Sequence, residues 1–204
     1  MKALVFTAIG IVEIQDVPDV VAGDNEVIVH VDRTGICGSE LHGIQTSGFR
    51  VPPLIMGHEF VGHTSDGRRV AVNPLTSCTT CDLCITGYTQ LCRTRSLLGV
   101  HRPGGFAERV VVPRSSIHDL PDDIDWDRAA LIEPTANAVH AWSLAGSPKD
   151  KRIGVIGCGP IGFGLSRGRA LWRCLLHRVR RSFARPGQSC CIHWRRCGRV
   201  LARR

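Results

Sequence analysis

The sequence predicts an α/β chain whose N-terminal part is mostly β. Three observations carry that expectation: an alternating run at residues 26–33 (EVIVHVDR), a change to helical period over residues 125–144, and a short apolar strand at residues 151–157 that runs into a glycine turn. The composition agrees. With 204 residues, 43% of them hydrophobic and 22% charged, the chain is long enough for one or two packed domains and unlike disordered, collagenous or membrane-embedded classes.

At the start, residues 2–8 (KALVFTA), a turn at Ile9 and Gly10, and the alternating residues 11–17 read as a β-hairpin. Lys2 ahead of an apolar stretch also has the look of a signal sequence, but no small-residue cleavage site comes after it. Residues 69–72 and 108–112 are further short β-branched strands, and the loops between them, rich in Gly, Pro, Ser, Thr and Asp, are expected to carry the chemistry. Within residues 125–144, Trp126, Ala130, Leu131, Ala138, Val139 and Trp142 fall near helical spacing, with Pro134 expected to interrupt the helix. No run approaches the roughly 18 apolar residues that span a bilayer, so a membrane partner is not expected.

The formal charge of +8 hides two unlike pieces. Residues 1–150 hold 12 basic and all 18 acidic residues, whereas residues 151–204 hold 14 basic residues and no acid. A polyanion partner inferred from the total alone would be misplaced, because the excess belongs to the C-terminal piece.

Cys78, Cys81, Cys84 and Cys92 have the spacing C-x2-C-x2-C-x7-C. Four thiolates in one tight loop can enclose a zinc ion tetrahedrally and leave no open position, which makes such a site structural. Binding energy then becomes folding energy for a loop with little apolar material of its own. An iron–sulfur cluster and a set of disulfides are the rival readings. Cysteines clustered at metal-ligand spacing also favour a reducing, cytoplasmic setting.

A second constellation is dispersed: Cys37 in GICGSELH, His58 and Glu59 in GHEF, and Glu133 in LIEP. A catalytic zinc takes about three protein ligands and keeps one exchangeable position. Cys37 and His58 can supply two ligands and a carboxylate the third. Taken singly, a cysteine or histidine is more often an ordinary core residue.

Taken together, GICGSELH at 35–42, GHEFVG at 57–62, the four-cysteine lobe, GGFAE at 104–108, the Glu133-Pro134 pair and GVIGCGPIG at 154–162 resemble the zinc-dependent medium-chain alcohol dehydrogenases. Within that family the likeness is to the polyol, threonine and butanediol dehydrogenase branch, and it covers residues 1 to about 164. The resemblance implies a GroES-like catalytic domain over residues 1–150, followed at 151–164 by the start of a Rossmann domain that is left incomplete, with the catalytic zinc in the cleft between domains. It implies that Cys37 and His58 are zinc ligands, that Glu59 or Glu133 completes the shell, and that Ser39 and His42 relay a proton. It further implies two zinc ions, one catalytic and one structural, NAD or NADP as cofactor, an alcohol or polyol as substrate, and a homo-oligomer in the intact family. Glu40 stands where the family usually has Asp, so the contact that this acid makes is expected to shift.

The dinucleotide signature rests on Gly157, Gly159, Pro160, Ile161 and Gly162 after the strand. Glycines there permit a tight turn and close approach of a pyrophosphate at a helix N-terminus. A full Rossmann sheet needs six strands and an acidic residue about 20 positions after the glycines. Residues 151–204 are too few for the sheet and contain no acid.

Residues 165–204 contain 12 Arg, no Lys and no acid. Trp172, Leu175, Leu176, Val179 and Phe183 fall at helical spacing among arginines, which suggests a basic amphipathic helix, and Arg with interspersed Trp and His suggests a nucleic-acid arm. The simpler reading is a reading-frame change or truncation near Gly164. The expectation is therefore an alcohol or polyol dehydrogenase with impaired hydride transfer, and its alternatives are a non-catalytic zinc-binding remnant or a binder acting through the tail.

Overall fold

The computed structural model describes residues 1–46, 48–146, 152–157, 159–165, 175–180, 191–194 and 200–202. The chain divides into two compact units, Met1–Glu133 and Pro134–Arg204.

The first unit opens with the expected hairpin, β1 (Lys2–Ala8) and β2 (Ile11–Asp16), paired antiparallel around a turn in which Gly10 has φ +77°. In chain order there come next β3 (Glu26–Thr34), helix α1 (Gly38–Gly43), β4 (Leu54–Ile55), β5 (Phe60–Thr64) and β6 (Arg69–Val72). The elements continue with β7 (Leu75–Thr76), helix α2 (Asp82–Ile85), β8 (Ser96–Leu97), β9 (Arg109–Pro113), β10 (Ile117–Asp119) and helix α3 (Trp126–Ala129). Strands β2, β1 and β4 form one sheet, and β10, β6, β5, β3 and β9, in that order, form a five-stranded antiparallel sheet.

The alternation read at residues 26–33 has its reason in that larger sheet. Val29 of β3 is fully buried and packs with Phe60, Val70, Val72, Leu98, Val110 and Val112, while Val27 and Val31 flank the same cluster. The opposite side of the sheet is covered too. Val61 and Ala71, the residues next to Phe60 and Val70, belong to a second cluster with Leu120 and Ala129, closed by Ile124 and Trp126. At about 1.5–3 kcal/mol for each buried aliphatic side chain, these two layers hold the sheet that carries the site loops. A third cluster of Phe6, Leu54 and Met56, with Ile44 and Phe106 against it, packs beside the smaller sheet.

Pro134 does not interrupt a helix. The helical stretch is already split before it, into α3 and α4 (Ile132–Ala145), and Pro134 occupies the first turn of α4. A first-turn residue needs no amide donor, so proline is tolerated there. Pro134, Ala138 and Trp142, four residues apart, form the buried stripe of α4, whereas Val139 is half exposed.

In the second unit β11 (Arg152–Ile156) pairs in parallel with β12 (Leu175–Arg180), which is joined by antiparallel β13 (Cys191–Trp194) and β14 (Val200–Ala202). The helical spacing read over residues 172–183 is thus overturned where it is described: Leu175–Arg180 is a strand. An unpaired edge of β11 leaves a row of backbone donors and acceptors that a neighbouring segment satisfies by pairing, and that demand outweighs a local helical period. Trp172 and Phe183 lie outside the described residues. Only β11 and β12 run parallel, so the described sheet is not the all-parallel one of a complete Rossmann domain. Among the described residues no helix is long and apolar enough to cross a membrane.

Candidate metal centres

Two groups of side chains converge within the first unit. In the first, Cys78, Cys81, Cys84 and Cys92 bring their four Sγ atoms within 4.8 Å of one another. The loop that carries them leaves the sheet between β7 and β8, whose pairing (Leu75 with Leu97, Thr76 with Ser96) ties its two ends together. Cys78 Sγ lies 3.5 Å from that of Cys92 and 3.9 Å from that of Cys84, which is itself 3.5 Å from that of Cys81. Thiolates bound tetrahedrally at about 2.3 Å to one ion stand about 3.8 Å apart, so the ring fits a single zinc-sized ion. Disulfide bonds are absent from the ring, all four cysteines being free. An iron–sulfur cluster, with several irons and sulfides inside, requires wider spacing.

Backbone amides favour charge on Cys78 and Cys92. The amides of Thr80 and Cys81 are the main cause that brings the Cys78 thiol down to about 5. Burial pushes Cys84 up to about 11, and the neighbouring sulfurs of Cys81, Cys92 and Cys78 add to that rise.

The second group is Cys37, His58 and Glu59, whose ligand atoms also lie within 4.8 Å of one another. One soft sulfur, one imidazole and one carboxylate match a zinc site that retains an exchangeable position. Cys37 is the residue at the N-terminus of α1, and His58 and Glu59 immediately precede β5. Gly35 makes room for the Glu59 side chain. Its amide donates to the Glu59 carbonyl at 2.6 Å, and a Cβ there would lie 2.5 Å from Glu59 Oε2. Glu133, in the first turn of α4, stands outside the 4.8 Å group, yet its charge acts on His58.

Glu40 joins the pieces of this site. It is almost fully buried, and its Oε2 accepts from the Cys37 amide at 2.9 Å while its Oε1 accepts from the Gly57 amide at 2.9 Å and lies 3.1 Å from His58 Nδ1. An ionised carboxylate only accepts, so Nδ1 carries the hydrogen, which leaves Nε2 available to a metal ion. Glutamate at this position therefore spans from the Cys37 loop to the His58 loop. For His58, burial is the largest influence and opposes protonation, but the Glu40 hydrogen bond with the charges of Glu40, Glu133 and Glu59 outweighs it, so the imidazole sits above its ordinary pKa.

Ser39 and His42 lie one turn apart on α1, and both are exposed. A buried cation backs Ser39: Arg50, 1% exposed, donates through Nη1 to the Ser39 carbonyl at 2.8 Å, through Nη2 to Ser39 Oγ at 3.4 Å, and through Nε to the Gly99 carbonyl at 3.0 Å. Sequence reading passed over Arg50, since an arginine in the loop GFRVPP has the signature of a solvated side chain. Of Glu40 it noted only the departure from Asp.

In the second unit the glycine turn has the expected build. Gly157 has φ +103°, and a Cβ on Gly162 would lie 2.0 Å from the Gly157 carbonyl oxygen, so the helical turn over residues 160–165 packs as closely on the strand end as glycine allows. Gly159, Pro160 and Ile161 are exposed there, with the Phe163 amide donating to the Gly159 carbonyl at 2.9 Å.

Comparison with known proteins gives the same direction. Residues 23–122 match the alcohol dehydrogenase GroES-like domain. Galactitol 1-phosphate 5-dehydrogenase of Escherichia coli is 36% identical over 174 residues, which are 79% of this chain and 50% of that protein. An L-threonine 3-dehydrogenase from a Shewanella species is 35% identical over 161 residues, or 72% of this chain and 47% of that one. The crystal structure of an Escherichia coli alcohol dehydrogenase complexed with NADH superposes with a TM-score of 0.82 at 30% identity, covering 88% of this chain and 56% of that chain. The chain spans about half the length of the curated relatives it matches.

Proposed function

We propose that this chain, which belongs to the zinc-dependent medium-chain alcohol dehydrogenase family, acts in the oxidation of an alcohol or polyol, with hydride passing to NAD or NADP. The observation that carries the proposal is the convergence of Cys37, His58 and Glu59 beside Glu40 and next to the α1 turn that bears Ser39. Those three residues, with Glu133 as the carboxylate in reserve, would hold a zinc ion, which would supply Lewis acidity to the alcohol oxygen.

The remaining work falls to the chain's own groups. Ser39 Oγ takes the substrate hydroxyl proton and hands it to His42, whose exposed imidazole passes it to water. The carbon–hydrogen bond then breaks with both electrons leaving as hydride, and the substrate carbon becomes a carbonyl. Gly157, Gly159, Pro160, Ile161 and Gly162 begin the cofactor-binding turn, where backbone amides meet the pyrophosphate. Cys78, Cys81, Cys84 and Cys92 hold a second, structural zinc. In this reading residues 1–150 are the catalytic domain, 151–164 the start of the cofactor domain, and 165–204 a segment unlike the family.

The test is NAD(P)H formation from a panel of polyols by the purified chain, run beside elemental analysis. The expected result is slow turnover that needs zinc and is abolished in Cys37→Ser while the four-cysteine ion remains. A rate indifferent to Cys37→Ser, or a chain without any Cys37-dependent metal, removes the reading.

A further inference from the structure

We infer that Arg50 is the positioning residue of the Cys37–His58–Glu59 centre, the counter-cation to the buried Glu40 carboxylate and the clamp that fixes Ser39; the inference rests on the metal reading above. Arg50 and Glu40 are respectively 1% and 2% exposed, the two charged side chains most completely buried among the described residues. An isolated buried charge is costly: burial pulls Arg50 below its ordinary pKa, and the Glu40 carboxylate acts against that pull through space, since the two side chains make no direct ion pair.

Each charge is satisfied by what surrounds the centre. Glu40 spends its acceptors on Cys37, Gly57 and His58, and Arg50 spends its donors on Ser39 and Gly99. A divalent ion and the Arg50 guanidinium would together offset the Cys37 thiolate and the Glu40 and Glu59 carboxylates, with Glu133 as a further negative charge beside them. Without Arg50 the buried cluster would carry an uncompensated negative charge at Glu40, and a carboxylate without its counter-cation is driven to move toward water and away from His58.

The clamp is geometric. One guanidinium reaches both the carbonyl and the hydroxyl of Ser39, so it occupies one lone pair of Oγ and restricts the directions in which that hydroxyl can accept and donate. The fold makes space for it: a Cβ on Gly43 would lie 2.5 Å from Arg50 Nη1, so α1 can close around the guanidinium only with glycine at its end. Lysine, with a point charge and no planar fork, would keep the charge and lose the double contact.

The experiment uses the whole chain, freed of metal and titrated with Co²⁺, with thiolate-to-cobalt absorption as the readout and Cys37→Ser to identify the band of the open site. Arg50→Met is expected to weaken cobalt at that site by about 10- to 100-fold while the four-cysteine band is unchanged. Arg50→Lys should restore part of the loss, and should carry the comparison if the methionine variant does not fold. In a Glu40→Gln background the further cost of Arg50→Met should fall below about threefold, because no buried anion remains to be offset. Unchanged affinity in both Arg50 variants, equal losses at both metal sites, or a full additive cost in the Glu40→Gln background overturns the inference. A wild-type chain with no Cys37-dependent band instead overturns the metal reading, and this inference with it.

Discussion

Stripping the metal from the four-cysteine lobe should unfold the lobe and leave the sheet intact. From Cys78 to Cys92 only Cys84 and Cys92 are buried. Ordering that stretch costs about 22 kcal/mol at about 1.5 kcal/mol per residue. Against this stand the backbone hydrogen bonds donated by the amides of Ile85, Thr86, Gly87, Tyr88, Leu91 and Cys92, about 6 kcal/mol in all at about 1 each. The two buried sulfurs add about 2 kcal/mol. The Asp82–Arg93 pair is well exposed on both sides and contributes little. The deficit of about 14 kcal/mol falls within the range of about 10–16 kcal/mol that structural zinc supplies to small domains. Amide hydrogen exchange measured before and after chelation, with metal content monitored in parallel, should show protection lost at Ile85, Tyr88, Leu91 and Cys92 and retained at Val29, Val70 and Val110. Cys92→Ser should reproduce the chelated pattern. Full removal of the metal with protection of the lobe amides unchanged would refute the reasoning, because the loop would then be stable on packing alone.

Three other outcomes are expected. Gly35→Ala places a Cβ 2.5 Å from Glu59 Oε2, so it should lower metal affinity at the open site about tenfold or more, read by chelator competition, with the four-cysteine ion unaffected. Phe6→Ala empties a fully buried position between Leu54 and Met56 and should cost about 3–5 kcal/mol in denaturant unfolding. The Arg102 hydrogen bond, with the Gly23 amide, holds the Glu26 carboxyl below the usual range. Its stabilising contribution is therefore complete above the ordinary glutamate pKa of about 4.3 and is lost as pH falls through the lower folded value. Glu26→Gln should then destabilise by less than about 1 kcal/mol at pH 7, the pair being about one-third exposed, and by nothing measurable at pH 2 in urea titrations.

Much of the molecule was legible wherever one short stretch of chain decides the outcome. The alternation of Val27, Val29 and Val31 marked a strand because its side-chain period is a backbone property, and the sheet buries that face as expected. C-x2-C-x2-C-x7-C marked a convergence of four thiols because sulfurs so close in sequence cannot lie far apart in space. Gly157 and Gly162 marked a strand-to-helix turn because only glycine admits the positive φ and the close packing found there.

Other features needed the folded chain. Pro134 has the signature of a break, and its place in a first turn depended on where α3 had already ended. The segment Leu175–Arg180 has a helical pattern, yet the unpaired edge of β11 is satisfied by taking it as a strand, a long-range demand that no local period contains. Cys37, His58 and Glu59 were candidates by motif alone, and only the packing of the α1 loop against the loop before β5 brought their ligand atoms within 4.8 Å. Arg50 and Glu40 show the limit most plainly. Sequence determined that both could be charged, but burial, which sets the cost of a charge and therefore forces every donor and acceptor to find a partner, is a property of the assembled structure and was decided there.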